Sequence, residues 1–413
     1  MGIKDLTKFI KRFAPSAITT VEVKSLKGKT AAVDISLMLY QTVMATRKSG
    51  KDLTNEKGEM TSHLNGIFRK MVTILSLGIK PIIVFDGAAP DIKAGTAANR
   101  KKRTDAAQEE LKKLKEGDEN YVKNFMQSYK PSQNEIKELK IMLQLLGIPI
   151  IQAPGEADVV CVWLTTHVDN DGKPYADMIF SEDGDMLTFG GTKLCKGMGK
   201  FIYNNSKVEI VDLSILLKKT KLTMSQFQNV CVLLGCDYCD KLSSPVAVYN
   251  DVRTSKNLKE SIKKIIKRRT EHNKKYEKNG KGKLLCIPKK SDIKCIMKAK
   301  QYFRNASDDL DNNDNFIITT NNIQLRKIQY EHFMDFMCDN HNFNKVTIKN
   351  ETDMLVNVYK RMNIKRKNNS KVYTLSENSK SYIMDNDNYV METESESDDM
   401  PNKNSGKKKY IKS

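Results

Sequence analysis

Apolar and polar positions change rhythm several times along the chain. Residues 30–36, "TAAVDIS", form a short apolar run that meets a carboxylate at Asp34, as a buried strand would. Over residues 61–77, Leu64, Ile67, Phe68, Met71, Ile74 and Leu75 recur at three- and four-residue spacing. That spacing predicts an amphipathic helix with one core-facing stripe. Gly78 ends it, and "KPIIVFDG" predicts a second buried strand that stops at Asp86. Ser132 with Glu135 has capping-box spacing and opens a helix whose stripe is Ile136, Leu139, Leu143 and Leu146. Gly147 closes that helix, "IPIIQAPGEAD" reads as strand, turn and helix start, and "YADMIFSEDGD" supplies the next strand. Strands alternating with amphipathic helices predict an α/β fold: a central, mostly parallel sheet flanked by helices.

Two segments depart from this rhythm. Residues 91–130 are charged, helix-forming and poor in large apolar side chains, which predicts a solvated helical insertion. Residues 251–300 hold 18 Lys+Arg against 5 Asp+Glu, a net +13 that accounts for over half of the chain's +20. From about residue 364 the hydrophobic periodicity is lost. Seven acids and no base lie between Asp385 and Asp399, ahead of the final "KKKYIKS", which predicts a disordered, charged tail. The expected organisation is two halves of an α/β core at 1–90 and 131–240, an insertion at 91–130, a basic, mainly helical region at 241–363, and a tail at 364–413.

A field of +20 favours a polyanionic partner, most simply nucleic acid, with an acidic membrane surface as the other class. No apolar run approaches the ~18–20 residues of a membrane span. The start "MGIKDLTKFI" lacks a signal-peptide apolar core, and Leu6 stands where a myristoylation signal needs Ser or Thr. An intracellular protein is therefore expected, in the nucleus or at a cytoplasmic replication site. The eight cysteines are then expected to be reduced. Cys236 and Cys239 have CxxC spacing, but Cys286 and Cys295 are too far apart to complete a zinc ribbon, so core packing is the expected role.

The acids are the informative residues. In an open parallel sheet the ligand crevice lies beyond the C-terminal strand ends. Asp34, Asp86, Asp183 and Asp185 fall there. Glu156 and Asp158 occupy the turn and first helical residues after the strand near 150, and Asp237 follows the helix "LTMSQFQNVCVLLG". An extended loop would put Asp183 and Asp185 on one side of the backbone. Each acid alone has an ordinary reading: Asp34 as a helix cap, Glu156 and Asp158 as partners of a helix N-terminus. Gathered together they repel and raise one another's pKa unless cations compensate. All-oxygen ligands in a chain with five histidines suit Mg²⁺, with Mn²⁺ as a substitute, better than zinc. Two such ions would serve phosphodiester hydrolysis.

Taken together, "MGIKDLTKFI", "AAVDIS", "KPIIVFDG", "APGEAD", "EDGDMLTFG" and "LLGCDYC" resemble the flap endonucleases, structure-specific 5′ nucleases, in text and spacing to about residue 240. A weaker likeness returns from "EHFMDFMCDNHNFNKVTIKN" to residue 363. The resemblance implies a PIN-like nuclease core and two metal ions held by Asp34, Asp86, Glu156, Asp158, Asp183, Asp185 and Asp237. It implies that the 91–130 insertion is a helical gateway and arch around a single-stranded 5′ end. Lys93 and Arg100 match basic residues over the scissile phosphate; their seven-residue separation puts them on one helix face. Tyr40 matches an aromatic that stacks on a base beside the cut, though by pattern alone it reads equally as core. Gly2 matches a tightly packed N-terminus.

One departure stands out. After "LLGCDYC" the family carries a glycine-rich hairpin that grips duplex phosphates with a potassium ion; here the text is "DKLSSPVAVYNDVR". A tight phosphate-binding turn needs glycine to bring backbone N–H groups close, so a K⁺ site is not expected. The run "KKIIKRR" offers Lys263, Lys264, Lys267, Arg268 and Arg269 as substitute phosphate contacts, with a nuclear-import signal or a solvated face as the plainer readings. No sliding-clamp peptide of the family's form is found. The expected protein is a monomeric, Mg²⁺-dependent 5′ flap endonuclease, with 5′ exonuclease activity a further possibility, acting on branched or flapped DNA in replication, recombination or repair, with the basic, mainly helical 241–363 region, above all its 251–300 segment, holding the duplex. The alternatives are a ribonuclease on the same core and an inactive nucleic-acid-binding relative.

Overall fold

The computed structural model describes residues 2–197, 207–279, 284–314, 316–362 and 364; the predicted tail from residue 365 onward lies outside them. Seven strands form one sheet: β1 (Ile18–Glu22), β2 (Thr30–Asp34), β3 (Lys80–Phe85), β4 (Ile150–Gln152), β5 (Met178–Phe180), β6 (Lys193–Lys196) and β7 (Lys207–Asp212). Their order is β1-β7-β6-β5-β2-β3-β4. β2 lies at the centre, parallel to β3 and to β5; β4 and β6 extend the parallel set on either side. The α/β expectation holds, and so does the mostly parallel sheet. The difference lies at one edge, where β7 pairs antiparallel with both β6 and β1.

Side-chain alternation along β2 divides the core in two. Ala32 packs into one cluster, Ala31 and Val33 into the other, as the two-residue period of a strand requires. On the first face lie the helices Leu6–Phe13, Ala157–Thr166, Met224–Leu234, Pro245–Arg253, Leu258–Asn279 and Lys290–Asp311. On the second lie Ile35–Arg47, Ser62–Ser76 and Gln133–Leu145. The predicted capping box is made: Ser132 Oγ accepts from the Glu135 N–H at 3.1 Å, and Glu135 Oε2 accepts from the Ser132 N–H at 2.5 Å.

The 91–130 insertion is a short 3₁₀ turn, Asp91–Lys93, followed by the helices Ala94–Leu111 and Tyr121–Gln127. Ala107 is the buried residue that Ala94–Leu111 contributes, so this helix stands on the core rather than in it. The 241–363 region, by contrast, is not one unit. Helices 245–311 complete the first face, whereas Tyr330–Met334 and Lys345–Arg361 close the second. Phe333, fully buried, lies 5.3 Å from Phe68, and Tyr359 Oη donates to the Leu146 carbonyl at 2.9 Å. The last helices therefore seal the core with their buried faces. Their apolar residues needed a partner, and the exposed back of Ser62–Ser76 supplied it.

Candidate active site

Parallel strands share a direction, so acids that follow β2, β3, β4 and β5 all emerge at the same edge of the sheet. Asp34 ends β2, Asp86 follows β3, Glu156 and Asp158 follow β4, and Asp183 and Asp185 follow β5. Asp237 comes from the turn after Met224–Leu234, whose glycine stop, Gly235, has φ +90°.

Three of the carboxylates are aimed by local bonds. Asp34 Oδ1 accepts from the Ser36 and Leu37 N–H groups at 2.9 and 3.4 Å, so the capping reading and the site reading hold for one residue. Asp86 Oδ1 accepts from the Ala157 N–H at 2.9 Å. Asp183 Oδ1 accepts from the Asp185 N–H at 2.9 Å. The Asp183–Asp185 loop is therefore not extended: it is a side-chain-closed turn, and Asp185 begins the one-turn helix Asp185–Phe189. Glu182 points elsewhere, accepting from the Gly197 N–H at 2.7 Å. Gly2, at φ +83°, packs so closely that an added Cβ would sit 1.9 Å from Asp183 Oδ1. The close N-terminal packing thus presses on a candidate ligand.

Four of the seven acids are held above the usual carboxylate range by burial and by one another. Burial, then the neighbouring Asp86, pushes the Asp34 carboxyl up to about 7. Burial with Asp34 and Asp183 pushes Asp158 well up, burial pushes Asp183 up, and burial with Asp183 does the same to Asp185. Asp185 is 2 % exposed, and its Oδ1 is buried without a hydrogen-bond partner. An orphaned acid oxygen costs free energy unless something positive meets it.

Two cations partly meet the need. Lys93 Nζ pairs with Glu156 Oε1, and Arg100 Nη2 lies 2.5 Å from Asp237 Oδ2. Burial alone would lower the Lys93 ammonium, but Glu156, with Asp158 and Asp237, outweighs that and raises it. Thr96 Oγ1 donates to the Asp237 carbonyl, tying the start of the helix Ala94–Leu111 to the same turn. No three His, Cys, Asp or Glu side chains among the described residues close into a ready-made ligand set. The donor chemistry nonetheless fits hard divalent cations: carboxylate oxygens only, mutually repelling, one of them orphaned.

A consequence follows for stability. Carboxyls raised in the folded state bind more protons there than in the unfolded chain, so stability falls as pH rises from their ordinary range near 4 through about 7. Metal-free protein is expected to lose melting temperature between pH 5.5 and 8, and added Mg²⁺ is expected to raise it more at pH 8. Scanning fluorimetry at both pH values checks this; equal Mg²⁺ increments would contradict it.

Elsewhere the outcome is mixed. Tyr40 is 40 % exposed on the helix behind Asp34, a position open to stacking. The basic run lies on the helix Leu258–Asn279, but three of its five cations are already engaged. Arg268 makes a bidentate pair with buried Asp251 at 2.8 and 2.7 Å. Arg269 donates to the Leu242 and Cys286 carbonyls, and Lys264 donates to the Thr254 carbonyl at 2.6 Å. Lys263 and Lys267 remain exposed. The run is therefore half clamp, half surface, since charge alone does not reveal a buried partner. Cys236 and Cys239 are buried, with their sulfurs 3.5 Å apart. Sequence reasoning passed over two phenols, Tyr238 and Tyr302, which both donate to Glu156 Oε2 at 2.8 Å. Tyr238 was visible inside "LLGCDYC"; Tyr302 carried no signal.

Residues 1–107 match the XPG N-terminal domain and residues 147–237 the XPG I-region. The chain is 39 % identical to flap endonuclease 1-B of Oryza sativa subsp. indica, over 59 % of this chain and 58 % of that protein. It is 36 % identical to flap endonuclease 1 of Caenorhabditis elegans, over 64 % of this chain and 69 % of the relative. The match thus spans less than two thirds of the rice relative's length. Among solved structures, the catalytic core of Rad2 in complex with DNA substrate superposes with a TM-score of 0.58, at 22 % identity, over 86 % of this chain and 100 % of that one; this likeness concerns the fold.

Proposed function

Since the chain belongs to the flap endonuclease family, we propose that it is a metal-dependent nuclease that hydrolyses a phosphodiester near the junction of a single-stranded 5′ flap and duplex DNA. The observation that carries this reading is the under-compensated ring of acids at the sheet edge, with the orphaned Asp185 oxygen, faced by Lys93 and Arg100 from the arch. Asp34, Asp86, Glu156, Asp158, Asp183, Asp185 and Asp237 are the residues that would hold Mg²⁺ or Mn²⁺. When bound, such ions supply a nucleophilic water of lowered pKa and offset charge on the leaving oxygen.

The chain's own groups do the rest. Lys93 and Arg100 exchange their carboxylate partners for the scissile phosphate, holding it in place and offsetting charge that develops on its oxygens. Tyr40 offers a ring on which a base beside the cut can stack. The full set of acids supports an enzyme over a binding module, because acids facing a polyanion weaken binding unless they serve chemistry. Cleavage of a 5′ flap, nicked duplex, single-stranded DNA and RNA, assayed side by side with Mg²⁺, tests the reading: flap DNA is expected to be cut fastest, and preferential RNA cleavage would reverse it.

The duplex grip is the weaker part of the family pattern. The turn that stands for the glycine hairpin, residues 240–244, holds no glycine and no residue of positive φ, which supports a duplex grip made by side chains. Lys263→Ala with Lys267→Ala is expected to flatten the slope of log affinity against log salt by at most ~2, at roughly 0.9 per phosphate. Arg268→Ala, by leaving buried Asp251 unpaired, is expected instead to cost about 1–2 kcal/mol of stability. Replacing K⁺ by Na⁺ is expected to change little. Filter binding across a salt series and thermal melts separate these effects; a slope unchanged by the double substitution would move the duplex grip elsewhere.

A further inference from the structure

Glu156 precedes the helix Ala157–Thr166, where an acid ordinarily caps backbone N–H groups, yet its side chain makes no capping bond. Instead, both phenols converge on Oε2, leaving Oε1 to Lys93. Tyr238 belongs to the Asp237 turn. Tyr302 comes from the helix Lys290–Asp311, outside both matched family segments. Its backbone is anchored by buried Ala299, Phe303 and Ala306. Its ring is held edge-on by Phe189 and Tyr238, at 5.6 and 5.3 Å. A phenol on a rigid helix, wedged between two rings, has little freedom to point elsewhere.

We propose that Tyr302 is a positioning residue for Glu156: its phenol, together with that of Tyr238, saturates Oε2 and presents Oε1 to a divalent cation. The inference rests on the metal-dependent reading above. Lys93 must leave Oε1 when an ion arrives, and the two phenols then hold the carboxylate in the orientation it already has. A freely turning carboxylate would share both oxygens or swing away. Partners of this kind behind a ligand typically change metal affinity or activity by 10–100-fold. With Tyr238 still in place, the lower end applies.

The test is Tyr302→Phe, which keeps the ring and removes the donor. Mn²⁺ binding to DNA-free protein, followed by the electron paramagnetic resonance of free Mn²⁺, is expected to weaken about tenfold. The Mg²⁺ concentration for half-maximal single-turnover cleavage is expected to rise by a similar factor, with the rate recovering at high Mg²⁺. Affinity for flap DNA measured without divalent metal should not move. In a Glu156→Gln background, Tyr302→Phe should add nothing to the loss of Mn²⁺ binding. Wild-type Mn²⁺ affinity in Tyr302→Phe overturns the proposal. So does a loss confined to Tyr302→Leu, which would assign the effect to ring packing, or an undiminished tenfold loss in the Glu156→Gln background. If the wild type binds Mn²⁺ but cuts no flap, the nuclease reading fails, while the Mn²⁺ comparison still decides the role of Tyr302.

Discussion

Asp185→Asn is expected to lower single-turnover flap cleavage by roughly three orders of magnitude or more, while leaving DNA affinity unchanged or improved. The substitution keeps the shape of the side chain. It removes one charge from a group in which burial and Asp183 already disfavour that charge. With less repulsion toward phosphate, binding in the absence of metal should gain. Folding should gain too, because a buried and poorly compensated carboxylate is gone: the melting temperature of metal-free protein is expected to rise by a few degrees. Loss of rate with a gain in stability separates a ligand from a structural acid. Wild-type rates, or a falling melting temperature, would count against Asp185 as a metal ligand.

Lys93→Ala and Arg100→Ala are the second large effect. Each is expected to lower the single-turnover rate by ~10²–10³, the scale of losing one preorganised group that meets developing charge, with a much smaller change in dissociation constant. Lys93 is the more enclosed of the two, its side chain 21 % exposed against 48 % for Arg100. A buried ammonium is screened less by solvent, so its loss should be the larger. Quench-flow rates at saturating enzyme, set beside equilibrium binding, make the distinction. If both substitutions changed affinity alone, the two residues would be phosphate anchors.

The gathering of the candidate acids was legible in the sequence because it is a consequence of local pattern. An apolar run long enough for a buried strand that stops on an acid places that acid at a strand end, and a parallel sheet gathers such ends along one edge. Asp34, Asp86, Asp183 and Asp185 follow from that argument as strand-end acids, and Glu156 and Asp158 from the turn and helix start after the strand near 150. The helices over 61–77 and 133–145 and the Ser132–Glu135 cap were similarly legible, since a helix is stabilised by neighbours three and four residues away. The antiparallel edge was not. β1, with the pattern "ITTVE", and β7, "KVEIVD", are stable as strands through pairing with each other across nearly two hundred residues of chain, and cross-strand pairing leaves no periodic mark on either partner.

Chain pattern by itself determined the central strands and the helices between them, the parallel character of those strands and the edge at which the acids gather, because these depend on local periodicity and on the shared direction of parallel strands. Tertiary structure alone decided which charges are spent. Arg268 and Arg269 carry the same formal charge as Lys263 and Lys267, yet Asp251 and two backbone carbonyls hold the arginines while the lysines face solvent. Tyr302 carries no signal in the sequence, and only its helix brings the phenol 2.8 Å from Glu156 Oε2. The physical reason is the same in both cases: the free energy of a charge or hydroxyl is set by what surrounds it within a few ångströms, and those surroundings come from residues distant in the chain.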